Sequence, residues 1–223
     1  WIPKPGRKEK RPLGIPAVRD RVAQTALRNV LEPIFEHRFA PRSYGFRPGR
    51  GCKDALRRVD HLLKAGFTWV LDADLKGYFD SIPHDQLIAA AEEEIADGRI
   101  IDLLRSYLQA GVMDGLKFWI PERGTPQGAV ISPLLANLYL DRLDHLMAEE
   151  GYQMVRYADD FVILCRGEAV AQQARERVRE WSEAHGLTLH PQKTRLVDAT
   201  QKGGFDFLGY HFERGMGWPR DKS

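Results

Sequence analysis

The chain has 223 residues, 43% of them hydrophobic and 29% charged, with 33 Lys and Arg against 31 Asp and Glu. That is the mixture of a folded globular protein rather than a disordered or fibrous one, and no apolar run reaches the length that spans a bilayer. A net charge of +2 does not announce a nucleic-acid binder, and the two cysteines, Cys52 and Cys165, lack metal-ligand spacing and read as unpaired thiols of a reducing, cytoplasmic setting.

In chain order, Pro3, Pro5, Gly6, Pro12, Gly14 and Pro16 leave no room for a helix over residues 1–16. Val22, Ala26, Val30 and Ile34, with Ala23, Leu27 and Leu31 beside them, predict an amphipathic helix. A loop rich in Pro, Gly and Arg follows at 41–51. Leu56, Val59, Leu62 and Leu63 then predict a second helix that ends at Gly66. Phe67 to Leu75 reads as a buried strand, a helix starts after Pro83 and runs toward Ile95, and a short one covers about 100–110. A strand pair is expected around 112–120. Ser132-Pro133 is a cap residue followed by proline at the first helical position, opening a helix through Leu138, Leu143 and Leu146 to Gly151. Two apolar runs, 153–156 and 161–165, flank a tight turn and read as a hairpin. Val170, Ala174, Val178 and Trp181 give the last long helix, stopped by Gly186, and Phe205 to Phe212 returns to strand. With no internal repeat and no low-complexity linker, the pattern is α+β, a central antiparallel sheet backed by helices.

Charge is unevenly spread. Arg7, Lys8, Lys10, Arg11, Arg19, Arg21, Arg28, Arg38, Arg42, Arg47 and Arg50 crowd the first fifty residues, while Glu92-Glu93-Glu94 and Glu149-Glu150 come later. A basic front that grips phosphates and a merely solvated basic face are both open readings. Two acidic spots carry more. The strand period of two puts Asp72 and Asp74 on one face of Trp69–Asp74, and Tyr157-Ala158-Asp159-Asp160 places two carboxylates in a turn between apolar strands. Either pair alone reads equally well as ordinary turn aspartates. On neighbouring strands they would form a cluster that repels itself unless divalent cations fill it. Two-metal phosphoryl transfer needs that arrangement, and hard carboxylate oxygens suit Mg²⁺. His84 and His145 lack ligand spacing and read as structural.

Tyr157-Ala158-Asp159-Asp160 resembles the YxDD motif of reverse transcriptases, and Asp74 to Phe79 resembles their first catalytic motif. Gly124-Thr125-Pro126-Gln127-Gly128, leading to Ser132-Pro133-Leu134, resembles the third. Arg11–Pro16, Ser43–Pro48 and Phe207-Leu208-Gly209-Tyr210 resemble the bacterial group II intron lineage, which includes CRISPR-associated relatives. One four-residue motif is weak; the ordered set, with a strand before the first and a helix after the third, is specific.

The resemblance implies a right-hand polymerase with fingers and palm, the thumb absent: mainly fingers over 1–66, palm over 67–110, a connection over 111–130, and palm ending in primer-grip strands over 131–223. It implies two Mg²⁺ ions, replaceable by Mn²⁺, held by Asp74, Asp159 and the main-chain carbonyl of Leu75, with Asp160 as a weaker ligand and Asp72 in support. Lys4 and Arg11 would hold the triphosphate, Phe79 would exclude a ribose 2′-hydroxyl, Gln127 would contact the nucleotide and template side, and Lys193 would protonate pyrophosphate. Arg47 and Arg50 would touch the template backbone, and Phe207, Leu208 and Gly209 would grip the primer. RNA template, DNA primer and dNTPs are the implied partners, with intron RNA or CRISPR adaptation proteins beside them and no membrane. The start at Trp1 and the absence of a closing element after Asp221-Lys222-Ser223 read as a piece of a longer polypeptide. Rival readings are an RNA-dependent RNA polymerase, a domesticated non-catalytic maturase fragment, and a diversity-generating or retron enzyme. Phe79 opposes the first, intact Asp74, Asp159 and Asp160 oppose the second, and unaltered Thr125–Gly128 opposes the third.

Overall fold

Punctuation by Gly and Pro sets where the elements begin and end. The structure, a computed structural model, describes residues 2–3, 10–11, 14–114, 116–213 and 216–220. In order they form β1 (Ile2–Pro3), β2 (Lys10–Arg11), α1 (Val18–Arg38), α2 (Cys52–Lys64), β3 (Trp69–Asp74), α3 (Tyr78–Ser81), α4 (His84–Glu92), α5 (Gly98–Leu108), β4 (Val112–Asp114) and β5 (Lys117–Trp119). There follow α6 (Ser132–Glu149), β6 (Gln153–Tyr157), β7 (Asp160–Cys165), α7 (Glu168–Ala184), β8 (Arg195–Asp198), β9 (Phe205–Phe207), β10 (Tyr210–Glu213) and β11 (Met216–Pro219). The α+β expectation holds, and among the described residues no helix is long and apolar enough to cross a membrane. Two compact units interleave along the chain, one of residues 1–38 with 77–139 and the other of 39–76 with 140–223.

In the first unit, α1 buries Gln24, Leu27, Leu31 and Phe35, a stripe at the three-to-four spacing of one helix face. This corrects the expected face, because Val22, Ala26, Val30 and Ile34 point outward. A polar residue sits in the buried stripe for a reason: the Gln24 side-chain oxygen accepts the Val130 N–H at 3.0 Å. Asp97 caps α5 by accepting the Arg99 N–H at 2.9 Å.

In the second unit, four antiparallel strands lie in the order β6-β7-β3-β8. Helix α2 packs on one face of this sheet and α7 on the other, each through a regular apolar stripe. On the α2 side, Ala55, Val59 and Leu62 meet Val70, Val155, Val162 and Leu164, and Phe205, Phe207 and Phe212 complete the cluster. Removal of such side chains from water supplies the main stabilisation, about 1.5–3 kcal/mol for each fully buried Val, Leu or Phe. Gly66, at φ +87°, ends α2 in the left-handed conformation, with its own N–H and that of Phe67 returning to the carbonyls of Leu63 and Leu62.

The end of the chain differs from expectation. The segment expected as one strand is a hairpin, β9–β10, joined by a two-residue turn in which Leu208 (φ 49°) and Gly209 (φ 79°) are both left-handed. β8, which the sequence reading missed, pairs with β3 and brings Arg195 opposite Asp72.

Candidate active site

Backbone pairing gathers the acidic residues at one end of the β6-β7-β3-β8 sheet. Asp74 closes β3, Asp160 opens β7, and their Cα atoms are direct antiparallel partners. Asp72, two residues earlier and hence on the same face, lies opposite Val162 on one side and Arg195 on the other. The face that is apolar at Val70, Val162 and Leu164 thus becomes acidic at Asp72, Asp74 and Asp160. Asp159 sits in the β6–β7 turn, where Tyr157 pairs with Asp160 across only two residues. The expected hairpin is therefore present, and its cost is visible: Ala158 holds a left-handed φ of 58°.

These carboxylates are unequal. Although Asp160 has an exposed edge, withdrawal from water pushes its carboxyl up to about 7, and the negative charges of Asp72 and Asp159 add to the rise. The backbone N–H of Leu208, in the β9–β10 turn, donates to this carboxylate and partly offsets the rise. Burial also raises Asp72, against the pull of Arg195, whose Nε donates to it at 3.0 Å. The Lys193 ammonium pairs with the Asp74 carboxylate, and the His190 N–H donates to the Asp74 carbonyl at 2.7 Å, so the 190–194 turn is tied to the end of β3. Leu75 is buried and bridges to Leu189. Among the described residues, no three His, Cys, Asp or Glu side chains are gathered closely enough to hold an ion as they stand. The donor chemistry nevertheless fits a hard dication: clustered oxygen ligands, repelling one another, at the rim of a sheet.

The base of the turn is braced. Tyr44 N–H donates to the Arg156 carbonyl at 2.9 Å and Arg156 N–H to the Arg42 carbonyl at 3.1 Å, so the 42–44 segment runs beside β6. Gly45 lies so close to Tyr157 and Ala158 that a Cβ there would stand 2.9 Å from the Tyr157 carbonyl carbon. Arg47 corrects an expectation. It is buried, and its guanidinium donates to the carbonyls of Ala40 (2.6 Å), Ser43 (2.8 Å) and Phe39 (3.4 Å), so it holds its own loop and does not present itself to a template. Arg50 is half-buried, donating to the Pro41 carbonyl at 2.5 Å beside the Tyr44 ring. Arg42 has its proton affinity lowered, first by burial and then by the like charge of Arg58. An anionic backbone would relieve that pairing. Phe207 is also corrected: its ring is a core residue, leaving Leu208 and Gly209 as the presented part of the turn.

Phe79 and Gln127 belong to the first unit. Tyr78 is the buried aromatic there, its hydroxyl donating to the Ala136 carbonyl at 2.5 Å, while Phe79 is only half-buried and meets it edge-on at 5.4 Å. Thr125 N–H donates to the Phe79 carbonyl at 2.7 Å, and Gly124, at φ +87°, packs where a Cβ would come within 2.6 Å of that same oxygen. The Gln127 side-chain amide donates to both Asp80 oxygens at 3.2 and 3.3 Å, and the Gln127 main-chain carbonyl accepts the Gly14 N–H. Ser132 donates to the Pro126 carbonyl, fastening the same loop to α6. The His84 Nε2 lies 2.7 Å from the Gly124 carbonyl, and the His145 Nε2 lies 3.4 Å from Asp141. Lys4, Arg7 and Lys8 lie outside the described residues, and Arg11 is placed on β2, paired with Ile2.

Arg156 and Asp144 escaped the sequence reading. Their only signal was an arginine inside an otherwise apolar strand.

A family model described as reverse transcriptase (RNA-dependent DNA polymerase) matches residues 2–212. Protein YkfC of Escherichia coli K12 is 36% identical over 253 residues, covering 96% of this chain and 66% of that protein. The group II intron-encoded protein LtrA of Lactococcus lactis subsp. cremoris is 40% identical over 149 residues, covering 67% of this chain and 25% of that protein. The chain thus spans less than two thirds of the length of each. Telomerase from Candida albicans, solved in complex with a fragment of telomeric RNA, shares the fold at a TM-score of 0.67 and 15% identity, over 91% of this chain and 37% of that one.

Proposed function

The chain belongs to the reverse transcriptase family, the RNA-dependent DNA polymerases, and from that premise we propose that it extends a DNA primer on an RNA template, as a fingers-and-palm core of the group II intron type. The observation that carries this reading is the pairing of Asp74 with Asp160 at the end of β3 and β7, with Asp159 in the adjoining turn. Asp74, Asp159 and the Leu75 carbonyl would hold Mg²⁺, or Mn²⁺ in its place, with Asp160 in support. When bound, the metal ions activate the primer 3′-hydroxyl and neutralise the leaving pyrophosphate oxygen.

The protein's own groups do the rest. Lys4 and Arg11 grip the triphosphate, where cationic donors offset developing charge. Lys193, already paired with Asp74, donates its proton to the departing pyrophosphate. Arg42 with Arg58, joined by Arg50, neutralises template phosphates. Leu208 and Gly209 seat the primer end, and their link to Asp160 through the Leu208 N–H couples primer position to the acidic turn. The Phe79 ring excludes a ribose 2′-hydroxyl, and Gln127, fixed by Asp80, faces the nucleotide. The likeness to a group II intron-encoded protein supports the group II intron type.

Primer extension separates the readings. The full-length protein is given an RNA template with a DNA primer and dNTPs, and in parallel an RNA primer with rNTPs. Extension in the first reaction and not the second supports reverse transcription; the reverse outcome makes it an RNA polymerase. RNA binding with no extension in either makes it a maturase-like binding module.

A further inference from the structure

The YADD turn contains a left-handed alanine, a conformation that a residue with a Cβ rarely keeps unaided. What keeps it is buried one strand residue away. Arg156, only 1% exposed, sends Nη1 to the Ala158 carbonyl at 2.8 Å. The other side of the guanidinium is clamped by Asp144 on α6: Nε donates to Oδ1 at 2.8 Å and to Oδ2 at 3.0 Å, and Nη2 to Oδ2 at 2.5 Å. The main chain of Arg156 is itself fixed by Arg42 and Tyr44. A planar fork with one edge on a carboxylate and Nη1 on a carbonyl is held against rotation from both sides.

Stability alone does not explain this pair. A buried ion pair is commonly no better for stability than apolar packing of the same volume, so where its donors point carries more information than its presence. Here a use is specific, because the guanidinium nitrogen that does not face Asp144 meets the carbonyl of the strained turn residue, directly before Asp159.

We propose that Arg156, anchored by Asp144, is the positioning residue of the catalytic turn: it fixes the Ala158 carbonyl and thereby the backbone that aims Asp159 and Asp160. Arg156 touches no substrate. It acts through Ala158, and the inference rests on the polymerase reading given above. Loss of the bond to Ala158 lets the turn relax toward ordinary φ, which swings the Asp159 backbone while the hydrophobic sheet below stays intact.

The test uses the full-length protein, with single-turnover dTTP incorporation on a poly(rA) template and an oligo(dT) primer, plus thermal melting. Arg156→Lys keeps the charge but loses the fork. The expected result is a rate lowered by about 100-fold, the scale of a 1 Å misplacement, with a KM for dTTP within about threefold of wild type. The Mg²⁺ concentration for half-maximal rate also rises. Adding Ala158→Gly to Arg156→Lys recovers about tenfold or more of the rate, because glycine takes a positive φ without a brace. A merely structural ion pair has no reason to be rescued there. If Arg156→Lys does not fold, Asp144→Asn, which loosens the clamp and leaves the arginine in place, gives the same three readouts more mildly. An Arg156→Lys enzyme at wild-type rate, or a loss that follows the melting temperature and ignores Ala158→Gly, overturns the proposal while the polymerase reading stands. A wild-type protein that extends no primer overturns both.

Discussion

Gly45→Ala measures how tightly the acidic turn is seated. The added Cβ would stand 2.9 Å from the Tyr157 carbonyl carbon and 3.2 Å from the Ala158 Cα, with the Ala158 nitrogen nearer still. Carbon contacts relax at about 3.5–4.0 Å, so segment and turn must part by roughly 1 Å. Neither side can yield by rotating a side chain. Both are backbone, and the hydrogen bonds from Tyr44 to Arg156 and from Arg156 to Arg42 hold them in line. Overpacking of this kind costs about 1–3 kcal/mol, which lowers the Tm by roughly 2–12 °C for a chain of this size. Displacing the turn by that distance lowers primer extension by about 100-fold. Gly49→Ala is the control. Gly49 has φ +69° but nothing within 4 Å of an added Cβ, so it loses about 1–2 kcal/mol of backbone energy and no specific activity. Melting curves and single-nucleotide incorporation on both variants decide the matter. A Gly45→Ala protein that melts and extends like wild type refutes the close seat.

Phe79→Val removes a clash more than a contact, so the dNTP-to-rNTP ratio of kcat/KM falls by about tenfold or more, with a smaller loss in dNTP use; an unchanged ratio assigns sugar choice to another residue. For Asp160 the folded pKa of about 7 lies above the ordinary value of about 3.9. The native state therefore holds the proton more tightly, and stability without added metal declines as pH rises from about 4 to 7. Asp160→Asn flattens that slope in pH-dependent melts, and a slope unaltered by the substitution removes Asp160 as its source. Arg195→Ala strips the half-buried Asp72 of its donor, raising the Asp72 carboxyl further and lowering the Tm; wild-type melting shows that the β8 pairing needs no help from this bond.

Much of this was legible in the sequence because it is local. The period of two put Asp72 and Asp74 on one face, and two short apolar runs around Ala158-Asp159 gave the hairpin. Helix α2 carried one clean apolar stripe and a terminal glycine, so its limits were readable. The failures have causes both long-range and local. Helix α1 carries two apolar stripes, and the one chosen by burial includes Gln24, whose value depends on the N–H of Val130, over a hundred residues away. The β9–β10 turn uses Leu-Gly where Asn-Gly is the usual signal, so two strands read as one. β8 is only Arg-Leu-Val-Asp, too short and too polar to register. Arg47 read as a template contact and Arg156 was passed over, because only the folded chain brings carbonyls around a guanidinium. Pattern thus put the carboxylates at one end of the sheet, whereas Arg195 and the Arg156–Asp144 pair left no local signal strong enough to read.

The most direct measurement is single-nucleotide incorporation by Asp159→Asn beside wild type, on an annealed RNA template and DNA primer with Mg²⁺, with duplex binding measured in the same samples. One neutral amide cannot replace a charged ligand, so Asp159→Asn is expected to bind the duplex like wild type and to extend it at least about 1,000-fold more slowly. Equal extension by the two proteins would contradict it, since the acidic turn would then have no part in the chemistry.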